Sequence, residues 1–202
     1  MAPPIDTRDP AATRTPSRGR CFLYVVPSAY EDLLKIGHSR DPLARLQALH
    51  RRWFEVFDLE HALLVETDSV RDARGLELAF QRQFQQHNAP APLTVQPEAG
   101  GHSEWYRGAS EPLCISVRAL ASQGFVLHDP AWHWLRHEML VRSDGLFSWT
   151  QAMLSVDELE LASIATPRQR VVRDALDAHL AFGIAVEPLL PEAVWRWYCA
   201  AA

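Results

Sequence analysis

The sequence predicts an α+β fold: a small antiparallel three-stranded sheet flanked by helices, followed by a helical C-terminal region. Three observations carry this. Two short apolar runs, 21–26 (CFLYVV) and 33–38 (LLKIGH), are separated by a loop short enough for a hairpin. Amphipathic helical patterns with clear start signals follow them. Beyond Gly124, helix caps recur and strand-like runs stop.

The elements follow in order. Residues 1–17 hold four prolines and few large apolar groups, so a disordered tail is expected. The runs 21–26 and 33–38 are the first two strands. If Val26 faces Leu33 across an antiparallel ladder, Tyr24 lies opposite Lys35. Asp41 is a good N-cap and Pro42 suits the first helical position. Leu43, Leu46, Leu49 and Trp53 form the apolar stripe of that helix, with Arg45 beside it. Residues 59–66 read as a third strand. A long helix over 70–87 follows, with Leu76, Phe80 and Phe84 as its buried row and Glu77 at the border. A loop rich in Pro and Gly leads to Glu104-Trp105-Tyr106, and Ser110 is placed to cap a helix ending near Gly124.

The region 125–202 is expected to be a helical accessory domain after a first domain spanning 18–124. Asp129-Pro130 opens one helix, and Ser155 with Glu158 forms a capping box. Thr166-Pro167 opens another, with Val172, Leu176 and Leu180 inward and Gly183 closing it. Pro191 starts a last helix containing Trp195 and Trp197.

Composition narrows the function classes. In 202 residues no apolar run approaches the roughly 20 residues of a membrane span, so no membrane role is expected. Cys21, Cys114 and Cys199 are too few and too scattered for a disulfide framework or a metal knuckle, and suit a reducing cytoplasm. The net charge of −5 argues against tight non-specific binding to nucleic acid. Its distribution is uneven: from Arg18 to Glu55 seven Arg or Lys stand against four Asp or Glu. That strip (Arg18, Arg20, Lys35, Arg40, Arg45, Arg51, Arg52) could meet phosphates, or could be a solvated face. Among 20 basic residues Lys35 is the single lysine, a compact point charge where every other cation is a planar guanidinium. His133 and His137 have the i, i+4 spacing of zinc ligands, but no His-Glu-x-x-His motif is present.

Phe22-Leu23-Tyr24, with Lys35-Ile36-Gly37 beginning eleven residues after the tyrosine, resembles the paired triplets of the GIY-YIG nuclease superfamily. Arg45 falls ten residues after Lys35, where that family places a helix arginine, and Glu77 falls on a later helix, where it places a metal-binding carboxylate. The Ser39-Arg40-Asp41-Pro42 turn and the Glu104-Trp105-Tyr106 triplet are similar to those of a phage-associated branch. Two positions depart from the pattern: Phe22 stands for the first glycine and Lys35 for the second tyrosine.

The resemblance implies an endonuclease that hydrolyses phosphodiester bonds with one divalent metal ion, Mg²⁺ or Mn²⁺. Nucleic acid, DNA in the first instance, is the implied partner. Tyr24, Lys35 and Arg45 are the implied catalytic residues. Tyr24 would orient or deprotonate water once nearby cations lower its pKa. Arg45 would clamp phosphate oxygens, and Lys35 would stabilise the nucleophile or the phosphate. Glu77 is the implied metal ligand, and Gly37, His38 and Arg40 are candidate substrate contacts, Gly37 by letting backbone approach closely. A non-catalytic module of the same fold that binds nucleic acid or protein is the alternative, since fold alone does not set function. A toxin or effector whose helical region docks a protein partner is a third.

Overall fold

The computed structural model describes residues 18–95, 99–160 and 166–200. The expected tail, 1–17, lies outside them. The fold is α+β, but the sheet has six strands in the order β4-β5-β2-β1-β3-β6, every neighbouring pair antiparallel. β1 (Arg18–Pro27), β2 (Leu33–Ser39) and β3 (Leu63–Ser69) are the three strands the sequence predicts. β4 (Asn88–Ala89), β5 (Trp105–Arg107) and β6 (Leu127–His128) extend it. At two or three residues each, they are too short for alternation to announce them.

The central strand β1 is buried on both faces from Cys21 to Val26, which is why it reads as a continuous apolar run. Successive side chains alternate between the faces. Leu23 and Val25 join Leu34, Ile36, Leu63 and Val65 on one face, under Phe80 of α3 (Val70–Gln83), Phe84 at its C-cap, and Leu113 and Val117 of α4 (Ser110–Arg118). Phe22, Tyr24 and Val26 face the other way, toward Leu43, Leu46 and Leu49 of α1 (Pro42–Leu49) and Trp53 of the short α2 (Trp53–Val56).

The hairpin register differs from expectation by two residues. Tyr24 faces Gly37, and Lys35 faces Val26. The ladder runs on to Pro27↔Leu34, and Ser28 N donates to Leu33 O at 2.8 Å, so the loop is shorter than supposed. A shift of two preserves which face each side chain occupies, because the side-chain period is two. β3 starts later than expected because Asp58 accepts from His61 N at 3.2 Å and ties residues 58–61 into a turn.

The helix starts follow the sequence signals closely. Asp41 accepts from Ala44 N at the start of α1, and Ser69 accepts from Asp72 N at the start of α3. α3 is shorter than expected, ending at Gln83 ahead of a 3-10 turn at Gln85–His87. Its buried residues are Ala73, Glu77 and Phe80, so Glu77 stands inside the buried row and Leu76 is the half-buried one. α4 has no side-chain cap; Ser110 is its first residue, and a 3-10 turn carries the chain to Gly124 in the left-handed region at φ +92°.

The remaining helices are α5 (Ala131–Arg142), α6 (Leu146–Met153), α7 (Val156–Glu160), α8 (Pro167–Ala181) and α9 (Glu192–Ala200). The capping boxes at Ser155/Glu158 and Thr166/Gln169 both form. Val172 and Leu176 point inward as expected, but Leu180 is 44% exposed, and Ala178 with Phe182 at the C-cap packs into a second cluster.

These helices have a core of their own around Val172, Leu176, Val194 and Trp197. They also share the sheet's: Ala131, Leu135, Met139, Ala178, Phe182 and Ile184 pack in the same cluster as Tyr24 and Leu46. The core therefore runs across residue 124. Two charged ties join the same parts: Arg142 makes a two-pronged pair with Asp41, the cap of α1, and Arg52 reaches Asp174 and Asp177 of α8. Partly exposed pairs such as these add at most about 1 kcal/mol each; apolar burial does most of the holding. Among the described residues no helix is long and apolar enough to cross a membrane.

Candidate functional site

The strand β5 pairs with β2 only at Leu33, Leu34 and Lys35. Beyond it, Ile36 N donates to Glu104 O at 3.1 Å, and then the β2 edge opens. A cleft of about 430 Å³ forms there, lined by Tyr24, Gly37, His38, Arg45, Arg74, Glu77, Glu104 and their neighbours. Its walls come from opposite faces of the sheet. Tyr24 and Arg45 belong to the α1 face, and His38 and Glu77 to the α3 face. They share one cleft because it lies where β5 stops, and because Gly37, at the rim between them, has no side chain.

Gly37 also serves Tyr24 directly. A Cβ at Gly37 would fall 2.2 Å from the Tyr24 hydroxyl oxygen. On the side where a Cβ would stand, the space this glycine leaves is filled by the phenol, while the glycine itself lines the cleft. Arg45 Nε donates to Tyr24 Oη at 3.2 Å, and the same guanidinium donates to the carbonyls of Ala99 and Gly100. Tyr24 is almost wholly buried, and burial pushes its pKa up to about 12 against the opposing charge of Arg45. Arg45 alone does not bring the expected lowering, because desolvation of a buried phenolate outweighs one arginine. Tyr24 is a neutral phenol at neutral pH. With Arg45 donating to its oxygen, its own proton remains to be given to another acceptor.

His38 Nδ1 lies 2.8 Å from Glu77 Oε2, and Glu77 is 6% exposed. Lys35 is not among the residues lining the cleft. It is fully buried behind the wall, its Nζ donating to Gly101 O at 2.8 Å and Glu104 Oε2 at 3.0 Å. Burial pulls its pKa down, and Glu104 opposes that.

Of the sequence-proposed residues, Tyr24, Gly37, His38, Arg45 and Glu77 meet in the cleft, and Lys35 stands behind it. Arg40 is exposed and does not line it. The basic strip is not one open surface. Lys35 is buried, Arg20 pairs with Glu66, and Arg52 is engaged by Glu55, Asp174 and Asp177. His133 and His137 are exposed, and among the described residues no three His, Cys, Asp or Glu side chains gather as a metal cage. Trp105 is core, 1% exposed, under the Lys35 ammonium.

Sequence reasoning missed Glu104, the carbonyls of residues 99–101, and Arg74, one turn before Glu77 on α3. The Glu104-Trp105-Tyr106 triplet was the available signal for the first. The carbonyls carry no side-chain signature at all. A wider groove, about 1070 Å³, lies elsewhere along Arg20, Glu66, Asp72 and Phe125. It lacks the cleft's convergence of phenol, guanidinium, imidazole and carboxylates.

No curated protein and no solved structure matches the chain. Residues 21–120, about half of its length, match the family model of the T5orf172 domain.

Proposed function

We propose that the cleft hydrolyses nucleic-acid phosphodiesters with one divalent metal ion, in the manner of a GIY-YIG endonuclease. The observation that carries this reading is the meeting of Tyr24, Arg45, His38 and Glu77 at the open end of β2. The T5orf172 match adds support, since that phage-associated domain is found in some GIY-YIG and HNH-like nucleases.

Glu77 would hold the ion. A lone carboxylate suits Mg²⁺ or Mn²⁺, which keeps most of its waters and needs no full protein cage. When bound, such an ion supplies Lewis acidity toward a phosphate oxygen or a water. His38 fixes the Glu77 carboxylate through the 2.8 Å contact. Arg45 lines the cleft and would counter charge on the phosphate as the transition state forms. Tyr24, neutral, orients an oxygen in the cleft with its hydroxyl proton.

The second reading, a binding module without catalysis, is favoured by a different observation. Donors of Arg45 and Lys35 are already spent on the carbonyls of residues 99–101 and on Glu104, so the cleft is satisfied without a ligand. Incubation of the purified chain with single- and double-stranded DNA and RNA, with Mg²⁺, with Mn²⁺ and with chelator, separates the two. Metal-dependent cleavage of any of these is expected. Binding without cleavage under every condition favours the module.

A further inference from the structure

Lys35 is the single lysine of the chain, and its side chain is entirely buried. Its ammonium donates to Gly101 O and Glu104 Oε2 and stands 5.5 Å from the centre of the Trp105 ring. The charged groups around it come from three directions: Glu104 just before β5, Arg45 on α1 and Glu77 on α3. A buried ammonium with no anionic partner gives up its proton, because desolvation penalises the charged form. Glu104 both bonds the amine and lines the open cleft. Gly101 lets the groups crowd together: a Cβ there would lie 2.6 Å from Glu104 Oε2, 2.7 Å from Lys35 Nζ and 3.0 Å from Arg45 Nη2.

We propose that Glu104 is a positioning residue, anchoring the buried Lys35 ammonium beside Arg45 behind the cleft wall, so that the ammonium offsets the Glu104 carboxylate where phosphate charge accumulates. For its catalytic consequence the inference rests on the nuclease reading; for the hold of Glu104 on Lys35 it rests on geometry alone. Burial and Arg45 draw Lys35 toward the neutral form, and Glu104 opposes them by its charge and its hydrogen bond. Without the Glu104 charge, Lys35 neutralises at lower pH.

Because Lys35 is the sole lysine, isotope-labelled lysine yields one side-chain NMR signal from the full chain. Its titration is followed in wild type, Glu104→Gln and Glu104→Asp. In Glu104→Gln the midpoint is expected to fall by about one pH unit or more, with Glu104→Asp, which keeps the charge, closer to wild type. The alkaline limb of the cleavage–pH profile is expected to move in the same direction. An unchanged midpoint in Glu104→Gln overturns the inference, as does a limb that stays in place while the midpoint moves. Wild type that cleaves no nucleic acid removes the nuclease reading, while the titration still decides whether Glu104 holds Lys35. If Glu104→Gln does not fold, wild type decides by exchange of the ammonium protons with water: slow exchange supports the anchored pair, and exchange as fast as in free lysine overturns it.

Discussion

Gly37 and Tyr24 face each other across β1 and β2, and the absent side chain of the glycine is the space in which the tyrosine hydroxyl sits. A Cβ added at Gly37 would overlap that oxygen at 2.2 Å and the adjoining ring carbon at 2.4 Å. Gly37→Ala must therefore displace a buried ring and break its contact with Arg45. A stability loss of about 1–3 kcal/mol is expected, the usual cost of overpacking, with cleavage reduced at least about tenfold by the lost contact. Thermal melting and cleavage measured side by side check this. Wild-type melting and activity in the variant would mean that the phenol is not held where the structure has it.

Glu77→Gln keeps the size of the side chain and can still hydrogen-bond His38, but it removes the charge that would hold the metal. Metal-dependent cleavage should fall by two or more orders of magnitude, an estimate of about 3 kcal/mol or more in the transition state. Binding to nucleic acid should persist. The fold should survive, because the His38 contact is kept. Equal cleavage by both proteins would remove Glu77 from the mechanism.

Tyr24 gives a pH dependence of definite sign. Its pKa is raised in the folded state from 10 to about 12. The unfolded chain thus releases the proton first, and the stability contribution present below pH 10 is lost between 10 and about 12, at most about 1.4 kcal/mol per pH unit. Tyr106 and Tyr198, also raised to about 12, act in the same sense. Lys35 has the opposite sign. Its lowered pKa makes stability rise with pH below 10.5, while the unfolded chain holds the extra proton. Denaturant midpoints should therefore drop from pH 10 to 12, and less steeply in Tyr24→Phe. Parallel slopes for the two proteins would contradict the burial of an un-ionised phenol.

A fragment of residues 18–124 loses β6 and the inner faces of α5 and α8. Leu135, Met139 and Phe182, each at most 2% exposed, would leave Tyr24, Leu46 and Trp53 uncovered. Removing one such large apolar side chain costs about 2–5 kcal/mol, and here several go together. The fragment is expected to be poorly soluble or to melt well below the full chain, as circular dichroism and sedimentation would show. A soluble fragment with native-like melting would make the C-terminal region separable after all.

Much of this protein is set by local signals. The apolar run 21–26 had to be a buried strand, and Asp41-Pro42 and Thr166-Pro167 had to start helices, because each depends on neighbours within four residues. The spacing of Tyr24, Lys35, Arg45 and Glu77 also stands in the sequence. The tertiary structure alone decided what those residues meet. The two-residue register places Gly37, not Lys35, against Tyr24. The end of β5 lets side chains from opposite faces of the sheet share one cleft. Burial leaves Tyr24 neutral, and Glu104, 69 residues away from Lys35 along the chain, becomes its partner. Register, strand termination and desolvation depend on groups far apart in sequence, and no local pattern of residue types encodes their distances.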